Sequence, residues 1–288
     1  MYSPYASPKA TIEVLKKTGL YTKKNLGQHF LIDDNVIGHI LSLAAIRAED
    51  VIVEVGPGIG TLTCALLDTE AHIVAVEFDP ALPALLEETF GARDNFVLVV
   101  GDAVKVTSAE LGAAFGEPTA LVANLPYQVA ATVVLRFFET LPSLQSATVM
   151  VQAEVAQRMA AHPGSKSYGA YTVKLNLLAH AVGNFAVSRN SFLPPPRVES
   201  TVIRLEKRSL VANVEEYKKV ARIIDCAFAQ RRKTIRNSLK ATLEISTETL
   251  EKAFLAAGID PQSRAEMLEA NAFITLAQKI QDLTKIFC

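Results

Sequence analysis

The chain has 288 residues, half of them hydrophobic, and a net charge of −1. That is enough for one large α/β domain with a small second one, and no run of 18 apolar residues offers a membrane span. Cys64, Cys226 and Cys288 match no metal or disulfide framework, and the N-terminus lacks the apolar core of a secretory signal, so a reduced, cytoplasmic protein is expected.

The charge is unevenly spread: +4 over residues 1–30, −9 over 31–203, +7 over 204–240 and −3 over 241–288. Two basic segments bracketing an acidic centre suit a polyanion gripped through its phosphates. Taken alone, the same distribution suits two solvated helix faces at least as well.

In chain order, residues 1–24 hold Lys16, Lys17, Lys23 and Lys24 and read as a loosely docked basic arm. An Asp33-Asp34-Asn35 cluster then starts a helix carrying Val36, Ile37, Ile40, Leu41 and Ala44 at helical spacing. Val51–Val55 is short, apolar and β-branched, as a buried strand should be. Gly56, Gly58 and Gly60 follow, then Leu62, Ala65 and Leu66 on one side of a helix. Strand, glycine turn and helix open a nucleotide-binding βαβ unit. A dinucleotide fingerprint would place its third glycine at Thr61, one residue later, which disfavours a nicotinamide oxidoreductase. G-x-G-x-G preceded by Glu54 instead resembles the first motif of the class I S-adenosylmethionine-dependent methyltransferases, where a methionine tail needs no pyrophosphate site.

The next strand, His72–Glu77, ends on an acid 21 residues after Gly56, where a carboxylate can accept both ribose hydroxyls of a nucleoside. Phe96–Val100 leads to Asp102, placed to accept from an adenine amino group. A fourth strand over 121–123 runs into Asn124-Leu125-Pro126-Tyr127, the most specific short motif in the chain. Phe137 and Phe138 lie on the helix after it, and 147–151 is a fifth strand. Residues 171–181 read as a helix, and 185–188 and 200–205 as two last strands joined by a proline-rich loop. Beyond 207–213 the pattern is helical throughout: a stripe from Val220 to Phe228 continuing through the basic run to Lys240, then 247–257 and 271–286. The expected division is an arm over 1–24, a Rossmann-like sheet domain with helices on both faces over 25–208, and a small all-α domain over 209–288.

An exocyclic amine such as adenine N6 is a poor nucleophile because its lone pair is delocalised into the ring. The Asn124 side-chain oxygen and the Leu125 carbonyl can both accept from that amine and turn its lone pair outward. Pro126 fixes the turn, and Tyr127 offers a face for an extruded base. Catalysis of this kind is positioning plus electrostatics.

Read together, eight stretches resemble the small-subunit ribosomal RNA adenine N6,N6-dimethyltransferases of KsgA type. They are Gly27–Leu31, Glu54–Thr63, Gly101–Ala103, Asn124–Tyr127, Pro163–Gly169, Phe192–Ser200, Arg231–Asn237 and Arg264–Glu266. The resemblance implies S-adenosylmethionine as methyl donor, no metal, and two adjacent adenosines in a hairpin loop near the 3′ end of small-subunit rRNA as target. It implies cofactor contacts at His29, Leu31, Gly56, Glu77, Asp102 and Asn124, and the base grip read above makes Asn124, Leu125 and Tyr127 the candidate catalytic residues. His29 departs from the Asn usual in the family, and reads either as a cofactor contact or as a satisfied loop histidine. Phe192 reads equally as the second face of a base sandwich or as a core aromatic under the proline loop. Arg231, Arg232, Lys233 and Arg236 are the candidate RNA contacts, with the small ribosomal subunit as partner and a monomer as default. A large-subunit rRNA methyltransferase and a ribosome-assembly factor are the competing readings.

Overall fold

The computed structural model describes residues 1–19, 28–230 and 232–284. The chain forms two compact units: Met1–Ala156 with Ala181–Lys207, and Gln157–His180 with Arg208–Cys288.

The first unit begins with α1 (Pro8–Thr18), started by the Ser7 hydroxyl and closed by Gly19 in the left-handed region. Residues 1–19 are therefore no loose arm. The N–H groups of Tyr2 and Ser3 donate to the Asp34 carboxylate at 2.8 and 2.9 Å, Thr11 is fully buried, and Tyr5 and Ala6 pack on the main core. Thr11, Val14, Leu15 and Thr18 supply the inward face of this helix, which the lysines masked, while Ile12 is exposed. Lys23 and Lys24 lie outside the described residues.

There follow β1 (Phe30–Leu31), α2 (Asp34–Ala44), β2 (Val51–Val55), α3 (Thr61–Leu67), β3 (His72–Glu77), α4 (Pro83–Phe90), β4 (Phe96–Val100), α5 (Ser108–Gly112), β5 (Ala120–Asn124), α6 (Ala130–Thr140) and β6 (Ser146–Gln152). Next come α7 (Ala153–Met159), α8 (Ala170–Asn176), β7 (Ala179–Val187), β8 (Phe192–Leu193) and β9 (Ser200–Lys207). The main sheet has the order β4-β3-β2-β5-β6-β9-β7. Its first five strands are parallel, and β9 runs antiparallel to β6. β2 is buried along its whole length, as its unbroken apolar run requires of a parallel strand covered on both faces. Strand order reverses between β2 and β5, so the carboxyl ends of these strands open a crevice there. A separate two-stranded ladder pairs β1 with β8.

The helix expected over 171–181 stops at Asn176, and 179–187 is a strand whose residues alternate between inside and outside. Alanine, histidine and glycine carry little period-two signal, so the sheet decides the state of this segment. The boundary expected at 208 also changes. Residues 157–180 belong to the second unit, because Tyr168, Val173 and Leu177 share a core with Tyr217, Val220, Phe254 and Phe273.

Besides α8, that second unit contains α9 (Val214–Phe228), α10 (Ile235–Thr242), α11 (Thr247–Ala257) and α12 (Ala270–Leu283). α9 does not run on to residue 240. It ends at Phe228, and α10 restarts behind Thr234, whose hydroxyl accepts the Asn237 N–H. Among the described residues, no helix is long and apolar enough to cross a membrane.

Candidate active site

A cavity of about 320 Å³ lies at the carboxyl ends of β2, β3, β4 and β5. The segments 28–31, 54–58, 77–79, 101–103 and 124–129 line it. His29, Leu31, Gly56, Glu77, Asp102, Asn124, Leu125 and Tyr127 are all among the lining residues.

The glycine turn forms one wall. Gly56 donates to the Val76 carbonyl at 2.9 Å, tying the loop to the neighbouring strand. Gly58 has φ +62°, and a Cβ there would lie 3.2 Å from the Phe30 ring. At Gly60, φ is +85° and a Cβ would run into the Phe90 ring. Only glycine satisfies both demands at these positions.

Acceptors from three strand ends point the same way. Glu77 is 5% exposed and its carboxylate accepts the Asp79 N–H at 2.7 Å. Burial pushes this carboxyl up, against the pull of N–H groups from Asp79, Gly58 and Phe78. One Asp102 carboxylate oxygen accepts the Val104 N–H at 2.9 Å, and the other lies 3.8 Å from the Lys105 ammonium.

Asn124 ends β5, and its side-chain NH₂ donates to the His29 carbonyl at 3.4 Å. The Leu125 N–H donates to Met150 at 3.1 Å, and the Pro126 carbonyl accepts from Val129 and Ala130, both at 3.1 Å, where α6 begins. The turn is thus held from the strand behind it and the helix ahead. Tyr127 is fixed by a 2.8 Å hydrogen bond between its hydroxyl and that of Ser200, and burial pushes its phenol up. The His29 ring stacks against Tyr127 with centroids 5.7 Å apart, and its Nδ1 lies 2.7 Å from the Pro194 carbonyl.

Glu54 gives the cavity its distinct electrostatics. It is 1% exposed, and burial, against a Thr63 hydrogen bond and with the Glu77 charge adding, pushes its carboxyl up to about 8. Its Oε2 and the Thr61 hydroxyl are buried with no hydrogen-bond partner among the described residues. A buried acceptor of this kind is costly unless something else satisfies it.

Three residues of the wall carried no role in the sequence reading. Gln28 donates to the Asp79 carboxylate at 2.8 Å, and Phe78 stands exposed at the rim. The signal was present, since Phe78 and Asp79 directly follow the strand-end acid, but they read equally well as a helix entry.

Phe192 does not reach the cavity. It is 2% exposed within the main core, and its backbone pairs with Leu31 in the β1–β8 ladder. Its ring is the core aromatic beneath the proline loop. In the second unit, Arg232 and Lys233 are exposed, while Arg236 is half-buried and paired with Glu251 at 3.2 Å. Arg231 lies outside the described residues.

The profile of the ribosomal RNA adenine dimethylase family matches residues 19–282. A protein of Rhodococcus erythropolis named ribosomal RNA small subunit methyltransferase A is 44% identical over 291 residues, covering 95% of this chain and 96% of its own. One of the same name from Rhodococcus opacus is 46% identical over 267 residues, covering 90% and 89%. Among solved structures, a dimethyladenosine transferase from Plasmodium falciparum is similar with a TM-score of 0.73 at 21% identity, covering 88% of this chain and 98% of that one; this likeness concerns the fold.

Proposed function

The chain belongs to the ribosomal RNA adenine dimethylase family, and we propose that it methylates N6 of two adjacent adenosines in a hairpin loop near the 3′ end of small-subunit rRNA, giving N6,N6-dimethyladenosines. S-adenosylmethionine supplies a methyl group already activated on a sulfonium. The observation that carries this reading is the convergence of Glu77, Asp102 and Asn124, from three strand ends, on one cavity.

Glu77 accepts the ribose hydroxyls, and Asp102 accepts from the cofactor's adenine amine. Gly56 lies against the cofactor with no side chain between, and Leu31 packs beside it. The unpartnered Glu54 Oε2 suits the ammonium of a methionine tail, which satisfies an oxygen left without a partner among the described residues. The target adenine is gripped by the Asn124 side-chain oxygen and the Leu125 carbonyl and stacks on Tyr127. Once methylated, the nitrogen sheds its proton to water. Arg232, Lys233 and, with them, Arg231 and Arg236 meet rRNA phosphates, so that the substrate is the small ribosomal subunit.

The test is transfer of labelled methyl groups to undermethylated small subunits, with the modified bases mapped. Label on two neighbouring adenosines of one hairpin loop is the expected result. Label on large subunits alone, or none on either, overturns the reading.

A further inference from the structure

We infer that His29 is a positioning residue for methyl transfer: anchored on the Pro194 carbonyl, it holds the Asn124 amide and the Tyr127 ring in mutual register. This rests on the methyltransferase reading. It adds to the cofactor contact implied at this position a role toward the target base.

The anchor follows from the β1–β8 ladder. Phe30 pairs with Leu193 and Leu31 with Phe192, so the next antiparallel pair brings His29 opposite Pro194. The Ile32 N–H donates to Ser191 at 2.9 Å, so Ile32 with Ser191 and Phe30 with Leu193 are the hydrogen-bonded pairs, and His29 with Pro194 is a pair the backbone leaves unbonded. The link at this pair is made by the His29 side chain, with Nδ1 2.7 Å from the Pro194 oxygen. A carbonyl only accepts, so Nδ1 carries the hydrogen, and the neutral ring keeps its lone pair on Nε2.

Two consequences reach the reacting base. The His29 carbonyl receives the Asn124 NH₂ at 3.4 Å, which turns the amide so that its oxygen is the end left for an adenine amine. The imidazole lies over Tyr127 at 5.7 Å and 29° between planes, while the 2.8 Å bond to Ser200 holds the far end of the phenol. Tyr127 is thereby braced at face and hydroxyl before any base arrives. Asn at position 29 could donate to Pro194 but has no ring for Tyr127, and Phe could stack but not donate.

His29→Asn, His29→Phe and His29→Ala separate these contributions. Each single loss is expected to lower single-turnover methyl transfer on small subunits about 3–10-fold, and His29→Ala about 10–100-fold. These losses should persist at saturating S-adenosylmethionine, whatever the change in cofactor affinity, because the contacts argued here concern the base side. Wild-type rates in His29→Ala, or losses confined to cofactor affinity, overturn the inference. A second readout needs no substrate: in the ¹⁵N spectrum of the histidine-labelled full chain, the neutral His29 ring should carry its hydrogen on Nδ1, and an Nε2–H ring overturns the anchor. If the wild-type chain transfers no methyl to any ribosomal RNA, the function reading fails, and the tautomer still decides the anchor.

Discussion

The hydroxyls of Tyr127 and Ser200 meet at 2.8 Å although 73 positions separate them. The bond fixes one end of the phenol and leaves the ring as a shelf. Tyr127→Phe removes only the bond and should slow transfer about 3–10-fold. Tyr127→Ala removes the shelf, and stacking worth about 1–3 kcal/mol per base sets the expected loss at roughly 5–150-fold. Single-turnover transfer to small subunits measures both, and equal effects of the two substitutions would refute the stacking role.

Asn124→Ala should lower the methyl-transfer rate by about 10²–10³-fold, the usual effect of losing one preorganised polar group at a reacting centre. Asn124→Asp should be no better, since a carboxylate oxygen replaces the NH₂ that now donates to the His29 carbonyl. Two acceptors then face each other. Rapid-quench measurement of the first methyl transfer gives the comparison.

Glu54 makes stability depend on pH in a direction opposite to most carboxylates. Its folded carboxyl titrates near 8, against about 4.3 in an unfolded chain. The folded state therefore holds a proton that the unfolded state releases between these values. The contribution is full below about pH 4 and is lost as pH rises towards 8. Glu54→Gln keeps the neutral shape and should flatten this slope. In urea titrations at pH 8.5 it should gain up to on the order of 5 kcal/mol over wild type. Binding of a cationic methionine tail near pH 7 should expel the Glu54 proton, which calorimetry in buffers of different ionisation enthalpy detects.

Phe192 should matter for folding and not for chemistry. Phe192→Ala leaves a cavity in the main core and should cost about 3–5 kcal/mol in denaturant unfolding. Phe192→Leu, which fills most of that space, should transfer methyl groups close to the wild-type rate per folded molecule. A large kcat loss in a folded Phe192→Leu protein would return the residue to the base site.

Arg232 and Lys233 are exposed, whereas Arg236 is engaged with Glu251. Replacing Arg232 and Lys233 together by Ala should weaken small-subunit binding and lower the slope of log affinity against log salt by about 2. Arg236→Ala should change that slope less. Titrations at several salt concentrations separate the two.

The local grammar of this chain was legible without coordinates. Val51–Val55, His72–Glu77 and Phe96–Val100 are strands with the bounds their apolar runs indicate, and the acids and glycines at their ends line the cavity as their positions suggest. Such features depend on a few consecutive residues and on the βαβ connection, so the sequence alone determined the sheet edge and the acids, glycines and Asn124 motif that meet there. Which distant segments meet was decided only in three dimensions. Burial makes Phe192 a core residue, moves 157–180 into the second unit and raises the Glu54 carboxyl, while the Pro194 carbonyl anchors His29. Burial and partnership are properties of packed surroundings, and those surroundings are contributed by residues far away along the chain.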